Sequence, residues 1–329
     1  TGAAVWNSPA VYQATVYIGS RDGKLYALSA TDGRLRWAGG ADGPILNSPS
    51  VDSRRRCLYV GSEDMHVYAF ALQDKECFRE RPPLWKSAKL PGVTFRGYHP
   101  VVAPDGSVMI TSAPAASLDT LNEVLIDMVK EVFGDMSSWR HTKEENERLT
   151  RENLALLDKP DTYQRELDYL RGRLVAEPWR QTFFVLDPDT GRPKCFPPIV
   201  YAESMNGVGA PPVVTPQGKV IVKYQALLRS RYGAYSPFLN VGYLDTNTGH
   251  ITPIMDQSRT YGWYDSLLLV HDEQCQLTVA GHLLINTHQD NVNGFDLDTL
   301  LGYEQPFCRN IHEAKPGEAM GIWAMLLRE

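Results

Sequence analysis

At 329 residues, 43% of them hydrophobic, the chain has the size and apolar content to bury a substantial core. Its formal net charge of −6 leaves no chain-wide basic footprint, so no nucleic-acid partner is expected. No apolar run approaches the roughly 18–20 residues that span a bilayer, and no transmembrane segment is expected either.

The first unit reads as four short strands. Ser8-Pro-Ala-Val11 is an apolar run with proline near its start, where a strand tolerates the missing N–H. Val16-Tyr-Ile-Gly-Ser20 is β-branched and aromatic, and Arg21-Asp-Gly23 supplies a tight turn. Lys24-Leu-Tyr-Ala-Leu-Ser-Ala30 alternates with period two, Thr31-Asp-Gly33 turns again, and Arg34-Leu-Arg-Trp37 closes the unit. The pattern then restarts. Asn7-Ser-Pro-Ala-Val11 returns as Asn47-Ser-Pro-Ser-Val51, and Val16-Tyr-Ile-Gly-Ser-Arg-Asp-Gly23 as Leu58-Tyr-Val-Gly-Ser-Glu-Asp-Met65.

Four antiparallel strands repeating about every forty residues predict the blades of an all-β propeller. A β-sandwich does not usually copy one signature into each hairpin. Later copies keep the phase: Pro100-Val-Val-Ala-Pro-Asp-Gly106 and Pro212-Val-Val-Thr-Pro-Gln-Gly218 are the same strand and turn. Ser266-Leu-Leu-Leu-Val270 and His282-Leu-Leu-Ile-Asn-Thr-His288 are assigned as the first two strands of a fifth unit. Five complete units are expected, with a further one starting at Met320-Gly-Ile-Trp323.

The stretch Tyr26-Ala-Leu-Ser-Ala-Thr-Asp-Gly-Arg-Leu-Arg-Trp37 resembles the repeat of pyrroloquinoline-quinone-type propellers, Ala-x-Asp-x-x-Thr-Gly-Lys-x-x-Trp. Ala27, Gly33 and Trp37 match it, while Ser29 and Asp32 depart. Asp187, Thr190 and Gly191 match in the third unit and Asp245, Thr248 and Gly249 in the fourth, with Cys195 and Pro253 at the tryptophan position. In that family the motif is structural, the tryptophan of one blade packing on its neighbour. The resemblance extends to the lipoprotein propellers of outer-membrane assembly. It implies a scaffold role and an extracytoplasmic location, periplasmic or secreted.

Between Pro114 and Trp179 the period-two pattern stops, which divides the chain into 1–114, a helical insertion at 115–178, and 179–329. Leu118, Leu121, Leu125, Met128, Val129, Val132 and Phe133 fall at helical spacing, with Ser117 as N-cap. Thr142-Lys-Glu-Glu145 has capping-box spacing and opens a second helix. Pro160-Asp-Thr precedes a third, with Leu167, Leu170 and Leu174 on one face. The insertion sits between the second and third strands of blade three. There it either covers the mouth of the central channel, docks a partner, or decorates a blade edge.

Connections into the innermost strands converge on the axis, so their side chains are the first candidates for binding: Trp6, Asn7, Arg96, Tyr98, His99, Glu203, Asn206, Tyr232, Tyr261, Trp263, Asp265 and Trp323. Aromatic faces beside Asn, Asp and Arg suit a carbohydrate or another flat polar ligand, and the partner expected at the rim is a protein or a polysaccharide. A polysaccharide lyase needs a base and a charge-stabilising group, and His99, Tyr98, Arg96, Tyr264 and His288 are the right types. A glycoside hydrolase needs two facing carboxylates, for which Glu203 and Asp265 qualify.

The quinone-dependent dehydrogenase reading is weaker. Those enzymes carry adjacent cysteines and calcium-ligating acids, whereas Cys57, Cys77, Cys195, Cys275 and Cys308 include no adjacent pair and no metal-like spacing. No cofactor and no metal are expected. The chain begins at Thr1 inside a blade boundary and reads as a piece of a longer one, so missing targeting signals carry no weight. The favoured expectation is a non-catalytic binding scaffold, with the carbohydrate-active enzyme as its competitor.

Overall fold

The computed structural model describes residues 1–72, 80–113, 160–199, 211–228, 236–255, 277–288, 291–297 and 307–310. Blade 1 is β1 (Ala10–Tyr12), β2 (Thr15–Gly19), β3 (Lys24–Ser29) and β4 (Leu35–Gly40). Blade 2 is β5 (Ser50–Asp52), β6 (Cys57–Ser62), β7 (His66–Ala71) and, after a detour through β8 (Glu80–Arg81), β9 (Trp85–Lys86). Blade 3 holds β10 (Val101–Val102), β11 (Val108–Thr111), β12 (Phe183–Leu186) and β13 (Pro193–Cys195). Blade 4 holds β14 (Val213–Val214), β15 (Val220–Leu228), β16 (Ser236–Leu244) and β17 (Ile251–Met255). Blade 5 holds β18 (Leu277–Ala280), β19 (Leu283–His288), β20 (Asn291–Asp296) and β21 (Phe307–Asn310).

In each blade neighbouring strands run antiparallel in chain order. First strands of successive blades touch (β1 with β5, β5 with β10, β14 with β18), which makes them the innermost. The cores show how the blades are stacked. One apolar cluster joins Leu25 and Trp37 of blade 1 to Leu58, Tyr68 and Phe70 of blade 2. The opposite face of blade 2, with Tyr59, Val67 and Ala69, joins Val108, Ile110 and Phe184 of blade 3. Met109 and Val185 on blade 3's other face meet Val220, Val222 and Tyr224 of blade 4, whose Ile221 and Val241 meet Leu277 and Leu284 of blade 5. Blades 2, 3 and 4 thus each send odd and even side chains to two different neighbours. That face-to-face succession is a β-propeller.

Burial follows from the stacking. In β2 and β3, which have one described neighbour, buried and partly exposed positions alternate; in β11 and β12, between two blades, every position is buried. The turns between third and fourth strands follow the repeat. Gly33, Gly191 and Gly249 have φ of 72°, 68° and 75°. Their N–H groups donate to the carbonyls of Ser29, Asp187 and Asp245, four residues back. The Asp187 and Asp245 carboxylates accept the next N–H groups of each turn, and in blade 1 the Ser29 hydroxyl accepts the Thr31 N–H instead.

Trp37 lies opposite Ala27 in β4, fully buried, its ring 5.9 Å from Tyr17 and 6.3 Å from Phe70. Trp85 takes the same place in blade 2, opposite Ala69. Its indole N–H donates to the Pro188 carbonyl of blade 3 at 2.8 Å. The repeat spacing does not reveal it, because the chain first leaves blade 2 to lay β8 parallel against β4 of blade 1. That strap sets the Arg81 guanidinium 4.6 Å from the centre of the Trp37 ring. In blade 3 the position opposite Val185 holds Cys195, which is far smaller.

A helix joins the core around it. α1 (Pro160–Ala176) opens on proline, whose fixed φ suits a first helical turn. Its Leu167, Leu170 and Leu174 are 2%, 1% and 1% exposed, on the face the sequence predicts. Leu167 joins the blade 3–blade 4 cluster that contains Cys195. The Arg171 guanidinium donates to the Thr248 carbonyl in a turn of blade 4 on the rim opposite the connections into the first strands. This helix therefore packs along the flank of blades 3 and 4. The two earlier helices expected at 118–133 and after 142 lie outside the described residues.

One strand assignment is corrected. The first strand of blade 5 is β18, joined to β19 by a hairpin through Gly281 at φ 61°, and not the run at 266–270, which lies outside the described residues. The apolar 266–270 run outweighs Leu277-Thr-Val-Ala280 as a pattern, but the glycine beside β18 makes the turn. The start of a further unit at 320–323 also lies outside them.

Candidate functional site

Two sets of loops share one rim: those entering the first strands and those joining second to third strands. On blades 1 to 3 this rim is held together by backbone and amide contacts. Asn7 donates from Nδ2 to the carbonyls of Gly19 and Ile45, both at 3.1 Å, tying blade 1 to the entry of blade 2. Asn47 accepts the Gly61 N–H at 3.1 Å. The Ser8 N–H donates to the Ser48 hydroxyl, and the Ser50 hydroxyl to the Pro100 carbonyl. Asn7, Asn47 and Tyr98 each stand three residues before the first paired position of an inner strand. Tyr98 is thus the third blade's counterpart of the repeated asparagine, and it is 1% exposed, packed inside the rim.

The segment before blade 1 is stitched to the turn after β2. The Gly2 N–H donates to Asp22 at 2.5 Å, the Ser20 hydroxyl to the Ala3 carbonyl at 3.3 Å, and the Arg21 N–H to the Ala4 carbonyl at 3.0 Å. This registers Trp6 beside Arg21. At the entry to blade 3 the Glu63 carboxylate, from the β6–β7 turn of blade 2, accepts the Thr94 hydroxyl at 2.6 Å and the Phe95 N–H at 3.1 Å. Phe95 is fully buried, Tyr98 N–H closes the turn on the Phe95 carbonyl, and Gly97 carries φ 83°. Arg96, at the tip of that turn, projects outward.

The result is a cluster drawn from blades 1 and 3. The Arg21 guanidinium lies 4.4 Å and the Arg96 guanidinium 4.9 Å from the centre of the Trp6 ring. Both distances are within cation–π range. Trp6 remains 50% exposed, and both arginines are exposed. Sequence reasoning names Trp6 and Arg96 but passes over Arg21, which it treats only as part of a turn. The signal that would find it is topological, since turns between second and third strands share the rim with the entry loops.

His99 follows on the same loop and keeps solvent contact, yet the protein around it desolvates the ring and pushes its imidazole pKa down. Of the lyase set, Arg96 and His99 face solvent while Tyr98 is interior. His288 ends β19 opposite Asn291. Glu203, Asn206, Tyr232, Tyr261, Trp263, Tyr264, Asp265 and Trp323 lie outside the described residues, and with them both carboxylates of the hydrolase reading.

Further out on this rim, Lys86 bridges Asp42 at 2.5 Å and Asp64 at 3.2 Å, and the Tyr68 hydroxyl donates to Asp64 at 2.6 Å. Burial first, then the Asp64 carboxylate, pushes the Tyr68 phenol up to about 12. Asp22 accepts the Tyr26 hydroxyl at 2.7 Å in the equivalent place of blade 1. Such Asp–Tyr pairs at four-residue spacing brace the turns of the repeat.

Among the described residues no pair of adjacent thiols of the kind a pyrroloquinoline quinone centre uses is found. The free thiols Cys57 and Cys195 stand in different blades, and the buried Cys195 Sγ contacts the Thr246 carbonyl at 3.3 Å. Among the described residues no group of three or more His, Cys, Asp or Glu side chains is placed to hold a metal ion.

These observations define a β-propeller of four-stranded antiparallel blades, with a rim assembled from several blades. Its residues 1–85, blades 1 and 2 with the strap between them, match the family model described as Outer membrane protein assembly factor BamB. A crystal structure of BamB from Moraxella catarrhalis aligns with a TM-score of 0.48 and 14% identity, over 89% of this chain and 58% of that one. This chain thus spans less than two thirds of that protein. No curated protein matches it. Among the described residues no helix is long and apolar enough to cross a membrane.

Proposed function

We propose that this propeller is a non-catalytic binding scaffold that offers its entry rim, and the exposed side of its helical insertion, to a protein partner outside the cytoplasm. The observation that carries the reading is Trp6, held half exposed beside two arginines from separate loops. Trp and Arg are the residue types that dominate interface energetics, and a ring fixed before binding loses little entropy on docking. Val175 on α1 and Trp179 just after it, 58% and 61% exposed, give the insertion exposed apolar side chains of its own. The family model matched by blades 1 and 2 is named for outer membrane protein assembly, which supports the extracytoplasmic placement and a protein as the partner. The polysaccharide alternative has no such support.

The test is a photo-crosslinking residue at position 6, compared with one at Thr248 on the opposite rim, in cells expressing the chain. A discrete protein adduct at position 6 and none at 248 is the expected outcome. Absence of any adduct at 6, or degradation of uronic-acid polysaccharides at a rate that His99→Ala lowers by about a hundredfold, would overturn the proposal.

A further inference from the structure

We infer that Arg21 and Arg96, both packed against the half-exposed Trp6 ring, form a carboxylate-recognition site, and that the partner segment it takes is an acidic peptide. The inference rests on the scaffold reading and specifies what the rim recognises. Its basis is the charge accounting of this rim. Asp22 accepts from Gly2 N–H and Tyr26, Glu63 from Thr94 and Phe95 N–H, and Asp42 and Asp64 share Lys86. The acids near the cluster are thus committed to turns and blade contacts. Among the described residues no carboxylate lies within ion-pairing distance of Arg21 or Arg96.

Two guanidiniums lying 4.4 and 4.9 Å from one ring centre, with no carboxylate ion pair among the described residues, stand within about a screening length of each other (about 8 Å at physiological salt), so each raises the potential felt by the other. An anion bound by both relieves that repulsion. Guanidinium forks favour planar carboxylates, which they can grip with two parallel hydrogen bonds. Their positions are set by backbone contacts, through the Arg21 N–H to Ala4 and the turn closed on Glu63, so the site exists before a ligand arrives. The exposed half of the Trp6 ring adds an apolar surface on which the methylene groups of a glutamate or its neighbour can lie. Flat, open and centred on three residues, the site suits side chains on an extended peptide.

Fluorescence anisotropy of a labelled decaglutamate peptide with the full chain tests this. Saturable binding is expected, weakening as salt is raised, with decalysine silent. Arg21→Ala with Arg96→Ala should weaken it by about tenfold or more while leaving the thermal midpoint in place, since both side chains are exposed. Arg21→Lys with Arg96→Lys keeps the charge but loses the fork, and should recover only part of the affinity. No decaglutamate binding, or binding indifferent to the paired alanines, would overturn the inference. So would polygalacturonate or phosphatidylglycerol vesicles binding through the same arginines more tightly than the peptide. If the position-6 protein adduct survives the paired alanines and is not competed by decaglutamate, the acidic-peptide assignment fails and the scaffold reading stands.

Discussion

Leu167 belongs to the buried cluster that contains Cys195, the residue standing where the earlier blades hold tryptophan, and removing it tests whether α1 belongs to the propeller core. The side chain is 2% exposed and shares a cluster with Cys195, Val185, Val222 and Tyr224, so Leu167→Ala deletes apolar volume on both sides of the blade 3–blade 4 interface. Burying a leucine completely is worth roughly 1.5–3 kcal/mol in transfer alone, and the unfilled cavity adds to this. With Cys195 too short to expand into the space, the expected loss is about 3 kcal/mol. Val175→Ala on the same helix, 58% exposed, should change stability by no more than about 0.5 kcal/mol. Urea unfolding followed by tryptophan fluorescence measures both. Hydrogen exchange of the α1 amides should accelerate in the first variant and not in the second. A cost below about 1 kcal/mol for Leu167→Ala would mean that the helix merely rests on the blades, and the account of how Cys195 is tolerated would be wrong.

Three further outcomes are expected. Gly191→Ala should cost more than about 2 kcal/mol, because its Cβ would stand 2.4 Å from the Trp85 ring at φ 68°, whereas Gly33→Ala, at a similar φ with nothing within 4 Å, should cost only about 1 kcal/mol; chemical denaturation of the pair separates collision from backbone strain. Asn47→Ala leaves the buried Gly61 N–H without its acceptor and should destabilise by roughly 1–3 kcal/mol, read as a lower urea midpoint. Burial opposes charge on Asp105, but Lys194 at 2.7 Å, the Ser107 N–H and hydroxyl and the Thr246 hydroxyl outweigh it and hold the carboxyl at about 2. Because the folded value is depressed, this contribution is complete above the unfolded value of about 4 and is lost as pH falls towards 2. Thermal midpoints measured across that window should therefore fall less steeply for Asp105→Asn, and an unchanged slope would remove Asp105 from the acid response.

What the amino-acid order determined by itself was everything carried by short-range chemistry. Gly33, Gly191 and Gly249 mark turns because only a residue without Cβ accepts their φ cheaply, and the Asp or Ser four residues earlier closes each one. Period-two runs marked the strands, and the forty-residue recurrence of Asn-Ser-Pro marked the blades. Leu167, Leu170 and Leu174 identified the buried face of α1 from spacing alone. Of the candidate site, Trp6, Arg96 and His99 were legible as rim residues because strand order dictates which loops share a side.

Tertiary structure decided the contacts made between units. The β8 strap on β4, Trp85 against Pro188 more than a hundred residues away, and Leu167 of α1 in the core between blades 3 and 4 depend on how blades pack around the axis, which no local pattern encodes. Tyr98 looked like a ligand contact by type and proved to be interior, since register put it where the earlier blades hold asparagine. Arg21 joined the site for the same reason in reverse: a turn residue by sequence, it meets Trp6 and Arg96 only because stacking brings the loops of blades 1 and 3 over one mouth. Local sequence sets turns and strand faces through the backbone's few allowed conformations, while side chains distant in sequence meet only once the sheets have stacked.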